Sequence, residues 1–200
     1  MTTRINAIWV GRFQPPTIAH YVTMECILEK WKHLHIGIVS HTPRPAILDD
    51  AWFEYLETPS ANTLTKEKNP FTSEEVCAMW HGAIECSPYA KRVVLIPMPR
   101  IAYQSNFNLL YPEDLIDFVD VAPHGTDSEF DQLRRMTFEK LLDRQIHYVS
   151  PRFKLHNTQI RNEIQLKKYA WSDVLPAGCY AVFTKIGGPE RIVAPSSITG

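Results

Sequence analysis

Apolar and polar positions along this chain follow two periods in turn. Residues 5–10, INAIWV, form an apolar run that stops at Gly11. Ala19, Val22, Cys26, Ile27 and Trp31 then fall on one helical face, and a second apolar run fills 35–40, ending at Ser40. Strand, helix and strand of these lengths make the β-α-β unit that parallel pairing requires. Thr72, with Glu75 three residues on, has capping-box spacing and predicts a helix to about residue 86. Runs at 93–97, 119–123 and 145–149 read as three further strands, with a helix at 128–142 between the last two. Helical segments at 158–168 and about 176–185 close the pattern. This alternation predicts α/β architecture: one domain over 1–200, an open doubly wound, Rossmann-like parallel sheet with helices on both faces.

One stretch, 42–68, keeps neither period. It holds prolines and the aromatic residues Trp52, Phe53 and Tyr55. A structureless loop of that length is uncommon in a compact domain, so the stretch is expected to be an insertion with its own short helix at 48–56. It reads as a surface excursion or oligomer contact, or else as a lid over substrate.

Composition narrows the function. A net charge of −1 gives no global field towards nucleic acid or an anionic membrane, so any phosphate site must be local. No window approaches the roughly 18 apolar residues of a membrane span, and the start MTTRINAIWV lacks the pattern of a signal peptide. The four cysteines, Cys26, Cys77, Cys86 and Cys179, form no CxxC pair. They are expected to be reduced, mostly buried thiols of a cytoplasmic protein rather than disulfides or zinc ligands.

The candidate chemistry lies where the first strand ends. Gly11 lets a backbone approach a phosphate, and Arg12 offers a planar fork of donors. His20 follows at the start of a helix, where free N–H groups and the helix dipole favour an anion, with Thr17 three residues before it. A second cluster, LHNTQIR at 155–161, comes directly after the last strand. There Asn157 or Thr158 suits an N-cap, Ile160 and Ile164 supply the buried face, and Arg161 shares the helix end.

These stretches resemble the nucleotidylyltransferase superfamily, and most closely the archaeal-type nicotinamide-nucleotide adenylyltransferases. GRFQPPTIAH is similar to that family's GRFQPxHxGH, and HNTQIR at 156–161 to its SxTxxR. Between them NPFT at 69–72 matches the family's NPFT, and IP at 96–97 and GGPERI at 187–192 are also family-like. The likeness spans nearly the whole chain except 42–68. It implies nucleotidyl transfer: an acceptor phosphate attacks the α-phosphorus of a nucleoside triphosphate and pyrophosphate leaves, with no covalent enzyme intermediate. On that reading His20 and Thr17 contact the triphosphate near the reacting centre. Thr158 and Arg161 hold its β and γ groups, and Gly11 and Arg12 cradle the chain. Phe13 and Asn157 join the nucleotide-binding set, and Ser40 the acceptor side. Mg²⁺ would be carried mainly by the triphosphate. Family members are often homo-oligomers; neither nucleic acid nor membrane is an expected partner.

The departures concern the substrate. Thr17 stands for His and Ala19 for Gly in the first motif, His156 and Asn157 for Ser and Gly in the second, and Val76 where the NPFT helix carries Arg. Arg100 lies near an acidic family position and Phe107 near a Trp that stacks on nicotinamide, so both are expected at the acceptor. The segment His124, Gly125, Thr126, Asp127 is similar to one beside the nucleotide in phospho-alcohol cytidylyltransferases. ATP with nicotinamide mononucleotide is therefore the first expectation. A CTP-dependent transferase for a small phosphate or phosphonate is the second, and a non-catalytic nucleotide sensor the third.

Overall fold

A computed structural model of the chain describes residues 4–39, 69–98, 107–121, 139, 143–152 and 157–192. Five parallel strands form one sheet: β1 (Arg4–Gly11), β2 (Trp31–Val39), β3 (Val93–Met98), β4 (Asp117–Val121) and β5 (Ile146–Val149). Their order is β3-β2-β1-β4-β5, so the sheet grows outwards in both directions from β1. Helix α1 (Ile18–Leu28) links β1 to β2, and α2 (Ser73–Ile84) precedes β3. The short α3 (Phe107–Leu110) precedes β4, and α4 (Asn157–Gln165), α5 (Trp171–Val174), α6 (Ala177–Lys185) and α7 (Gly188–Arg191) follow β5. The expected doubly wound parallel architecture is what the chain adopts.

Alternate residues of the strands face two cores. Ala7, Trp9, Leu34, Ile36, Ile38, Val119 and Val149 pack beneath Met24 and Ile27 of α1, Met79 and Trp80 of α2, and Phe183 of α6. Ile8, Val10, Phe118 and Ile146 face the other way, against Phe107 of α3. The capping box at α2 forms as expected: Thr72 N–H donates to Glu75 at 2.9 Å, and Glu75 N–H donates to the Thr72 hydroxyl. Helices α2 and α6 cross with backbones touching; a Cβ on Gly178 would lie 1.9 Å from the carbonyl oxygen of Gly82.

Several boundaries differ from expectation. Trp31 opens β2 instead of ending α1, because its indole N–H donates to Asp117 of β4 at 2.7 Å. That bond and the Ala7–Asp117 pairing also draw β4 back to 117–121 from the expected 119–123. All four cysteines are free, but only Cys26 and Cys179 are buried; Cys77 is partly exposed and Cys86 is exposed. Among the described residues no helix is long and apolar enough to cross a membrane. The 42–68 insertion and the 128–142 helix, residue 139 apart, lie outside the described residues.

Candidate active site

In an open parallel sheet a ligand crevice forms outside the carboxyl ends of the two strands where the order reverses, here β1 and β4. The chain leaving β1 crosses that edge from Gly11 to Thr17 and enters α1. Helix α4 begins at the same edge after β5.

The loop after Gly11 is drawn inwards. Phe13 adopts a left-handed φ of 48°, which costs a non-glycine residue roughly 1–2 kcal/mol. This turn brings its ring back over Gly11, where a Cβ would meet the ring at 2.7 Å. Glycine is therefore required at 11 by the Phe13 ring as well as by any phosphate. The ring is buried, edge-on to Trp9 at 4.8 Å, to Trp80 at 5.4 Å and to the His20 imidazole at 5.2 Å. It thus has no open face on which a base could stack.

His20 occupies the third position of α1, where a capping box usually carries a carboxylate. Its Nδ1 accepts the Thr17 backbone N–H at 3.0 Å, and the buried Thr17 hydroxyl stands 3.0 Å from the same nitrogen. An Nδ1 that accepts leaves the ring proton on Nε2. Burial lowers the imidazole from its ordinary 6.5 to about 4, so at neutral pH the ring is uncharged with a fixed Nε2–H donor. The unfolded chain takes up this proton first as the pH falls below 6.5. The stability contributed by the neutral ring is complete above that value and lost on descending through about 4. Allowing for partial exposure, wild type should lose roughly 2 kcal/mol more than His20→Gln between pH 7 and 4, read as the difference between two denaturant-unfolding series.

Three further contacts lock the loop. The buried side-chain amide of Gln14 pairs with the peptide of Phe71: its Nε2 donates to the carbonyl and its Oε1 accepts the N–H, each at 3.0 Å. Arg12 reaches Asn69 at 3.5 Å, joining the same two segments. The Cys179 thiol, pushed up to about 12 by burial and so protonated, donates to the Pro16 carbonyl. On the far side Arg191 grips Glu75 with two bonds of 2.6 and 2.9 Å, donates to the Pro70 carbonyl and lies over the Phe71 ring.

Arg161 connects the two sequence clusters. From α4 its guanidinium donates to the Gln14 backbone carbonyl, 147 residues away in sequence. Burial lowers its pKa below the ordinary arginine range, yet it remains cationic at neutral pH. Ile160, only 1% exposed, anchors the helix in the core beside it. A neutral N–H donor and a partly desolvated cation thus share one short loop, an arrangement suited to a polyphosphate.

No family model matches the chain. Curated relatives do. A nicotinamide-nucleotide adenylyltransferase of Pyrococcus furiosus is 30% identical over 195 residues, covering 94% of this chain and 87% of that protein. The chain belongs to the nicotinamide-nucleotide adenylyltransferase family. The corresponding protein of Pyrococcus abyssi is 29% identical over 194 residues, with the same shares covered. Among solved structures, a bifunctional NMN adenylyltransferase/ADP ribose pyrophosphatase of Francisella tularensis superposes with a TM-score of 0.61 at 17% identity. That likeness concerns the fold. It covers 96% of this chain, which spans about half the length of the Francisella protein.

The other residues expected at the site of this adenylyltransferase-family chain fall in several places. Asn157 and Thr158 fall in the first turn of α4. Phe107, expected to stack on the acceptor, is fully buried against Tyr111 and Phe118, with Arg144 over its ring. It offers no free face, because α3 tucks it under the sheet. Ser40, Arg100, His124, Gly125 and Asp127 lie outside the described residues. Gln14, Asn69 and Arg191 also shape this site, and they stand within the GRFQPPTIAH, NPFT and GGPERI stretches. A glutamine between a strand end and a proline gives no sign by itself that its amide will pair with a distant peptide.

Proposed function

We propose that this protein joins ATP and nicotinamide mononucleotide into NAD with release of pyrophosphate. The observation that carries the reading is the convergence of His20 and Arg161 on the 11–17 loop, in a chain of this family. The relatives named above are adenylyltransferases for nicotinamide mononucleotide, and a Francisella structure was obtained with AMP and a manganese ion.

ATP enters as its Mg²⁺ complex. Among the described residues no three His, Cys, Asp or Glu side chains gather to hold a metal, and the cations Arg12 and Arg161 flank the loop. The Mg²⁺ would be held mainly by phosphate oxygens and water, since it seeks few protein ligands. The acceptor phosphate oxygen attacks the α-phosphorus; a new P–O bond forms, the bond to the β-phosphate oxygen breaks, and pyrophosphate departs with its electron pair. The Nε2–H of His20 donates to an α-phosphate oxygen as charge builds there. Arg161 and the first turn of α4, with Thr158, hold the departing β and γ groups, and Arg12 steadies the chain. Positioning and fixed dipoles supply the acceleration.

The test is NAD formation with coupled pyrophosphate release, comparing ATP with CTP against nicotinamide mononucleotide and a panel of small phosphates. Turnover with ATP and nicotinamide mononucleotide is expected. Turnover with CTP alone, or none with any pair, removes the reading.

A further inference from the structure

Phe13 carries an unfavourable backbone angle, and its ring is spent on neither an open surface nor a ligand face. A left-handed non-glycine residue persists only where its surroundings over-determine it, and such residues cluster at working sites. Four observations say what this one does. Its ring returns over Gly11, where only the absence of a Cβ leaves room. It stands nearly perpendicular to the His20 imidazole, 86° between planes at 5.2 Å. Trp80, itself fully buried, backs the Phe13 ring, and Trp9 lies 6.2 Å from the imidazole. The imidazole's Nδ1 is taken by the Thr17 N–H.

We infer that Phe13 is a positioning residue acting through His20: its ring is the wall that fixes the imidazole plane and with it the direction of Nε2–H. This rests on the proposed nucleotidyl transfer, in which that donor meets the α-phosphate.

The physical argument has two parts. An aromatic ring excludes water from the imidazole face, and desolvation disfavours the charged form. The Thr17 N–H blocks the nitrogen that would otherwise take the second proton, since two N–H groups cannot face each other at 3.0 Å. Among the described residues the charged side chains bonded into this loop and its partner segment include the cations Arg12 and Arg161, which oppose a second positive charge, and the Arg191–Glu75 pair, whose opposite charges offset each other. The result is a ring that cannot drift between tautomers. An imidazole free to rotate by one ångström loses its aim, and misplacement of that size reduces turnover by up to about 10²-fold.

The experiment uses the full chain with ¹⁵N-labelled histidine, and long-range ¹H–¹⁵N correlation without substrate; His20→Gln identifies the resonance. In wild type the His20 ring is expected to carry its proton on Nε2 and to stay neutral down to about pH 4. In Phe13→Leu it should titrate much closer to 6.5 and populate both tautomers. kcat should fall about 10- to 100-fold while the KM for ATP changes less than about threefold. A role confined to packing would lower the melting temperature and leave the imidazole as in wild type; that result overturns the inference. So does a wild-type His20 that titrates near 6.5 or carries its proton on Nδ1, a measurement that needs no variant to fold. Absence of NAD formation by wild type would remove the reaction reading alone, because the imidazole measurement is made without substrate.

Discussion

His20→Ala should lower kcat by about 10²- to 10³-fold while leaving the KM for ATP within a few-fold of wild type. The asymmetry follows from the geometry. A neutral imidazole contributes one hydrogen bond and no net charge, so it holds the ground-state triphosphate only weakly. Its Nε2–H gains most when negative charge grows on the α-phosphate oxygens, which raises kcat in preference to binding. The variant also removes the Nδ1 acceptor from the Thr17 N–H. Some stability is lost with it, so turnover should be compared well below the variant's melting temperature. His20→Asn helps to separate the two effects, since its carbonyl can still accept at the helix start but its amide falls short of the imidazole's reach. The acid limb of the wild-type kcat profile is expected below pH 5, far from an ordinary histidine value. Pyrophosphate-release kinetics across pH decide both points, and full turnover by His20→Ala would take the residue out of the mechanism.

Much of this site was legible in the sequence because its parts are local. Gly11 at a strand end, a histidine three residues after a threonine, and Thr72 before Glu75 are spacings that a backbone turns directly into geometry. The doubly wound sheet was legible for the same reason, since apolar runs and helical faces alternate at lengths only parallel pairing accommodates. What failed was long-range. Trp31 continued a helical pattern, but an indole bond to Asp117, 86 residues away, made it the first residue of β2. Phe107 lies near the position where the resemblance led us to expect a stacking ring, yet the side of the sheet that receives it is set by three-dimensional packing. Gly11 was assigned to phosphate approach, and its immediate steric reason is a ring two residues on that turns backwards through a positive φ. Side-chain periodicity carries no record of such a turn. Gln14 shows the same limit, because an amide that pairs with one distant peptide resembles any polar loop residue until the segments meet.

Arg161→Ala should reduce kcat/KM for ATP by about 10²- to 10³-fold, with the larger share in KM, the reverse of the His20 result. A guanidinium has five N–H donors in a fixed plane, so it can bridge the Gln14 carbonyl and a phosphate at once. Binding the loop first matters: the contact places the charge before nucleotide arrives, and partial burial strengthens its attraction for a polyanion. Removing it should cost ground-state affinity as well as stabilisation of the departing pyrophosphate. Arg161→Lys is the informative companion. It retains the charge but has a single rotatable ammonium in place of the fork, so it cannot satisfy carbonyl and phosphate in the same geometry. Its kcat/KM is expected within about tenfold of the alanine variant. Should lysine restore wild-type kinetics, the charge alone would account for the role and the bridge to Gln14 would be incidental. Should alanine itself retain wild-type kcat/KM, the two sequence clusters would meet in the fold without sharing the triphosphate.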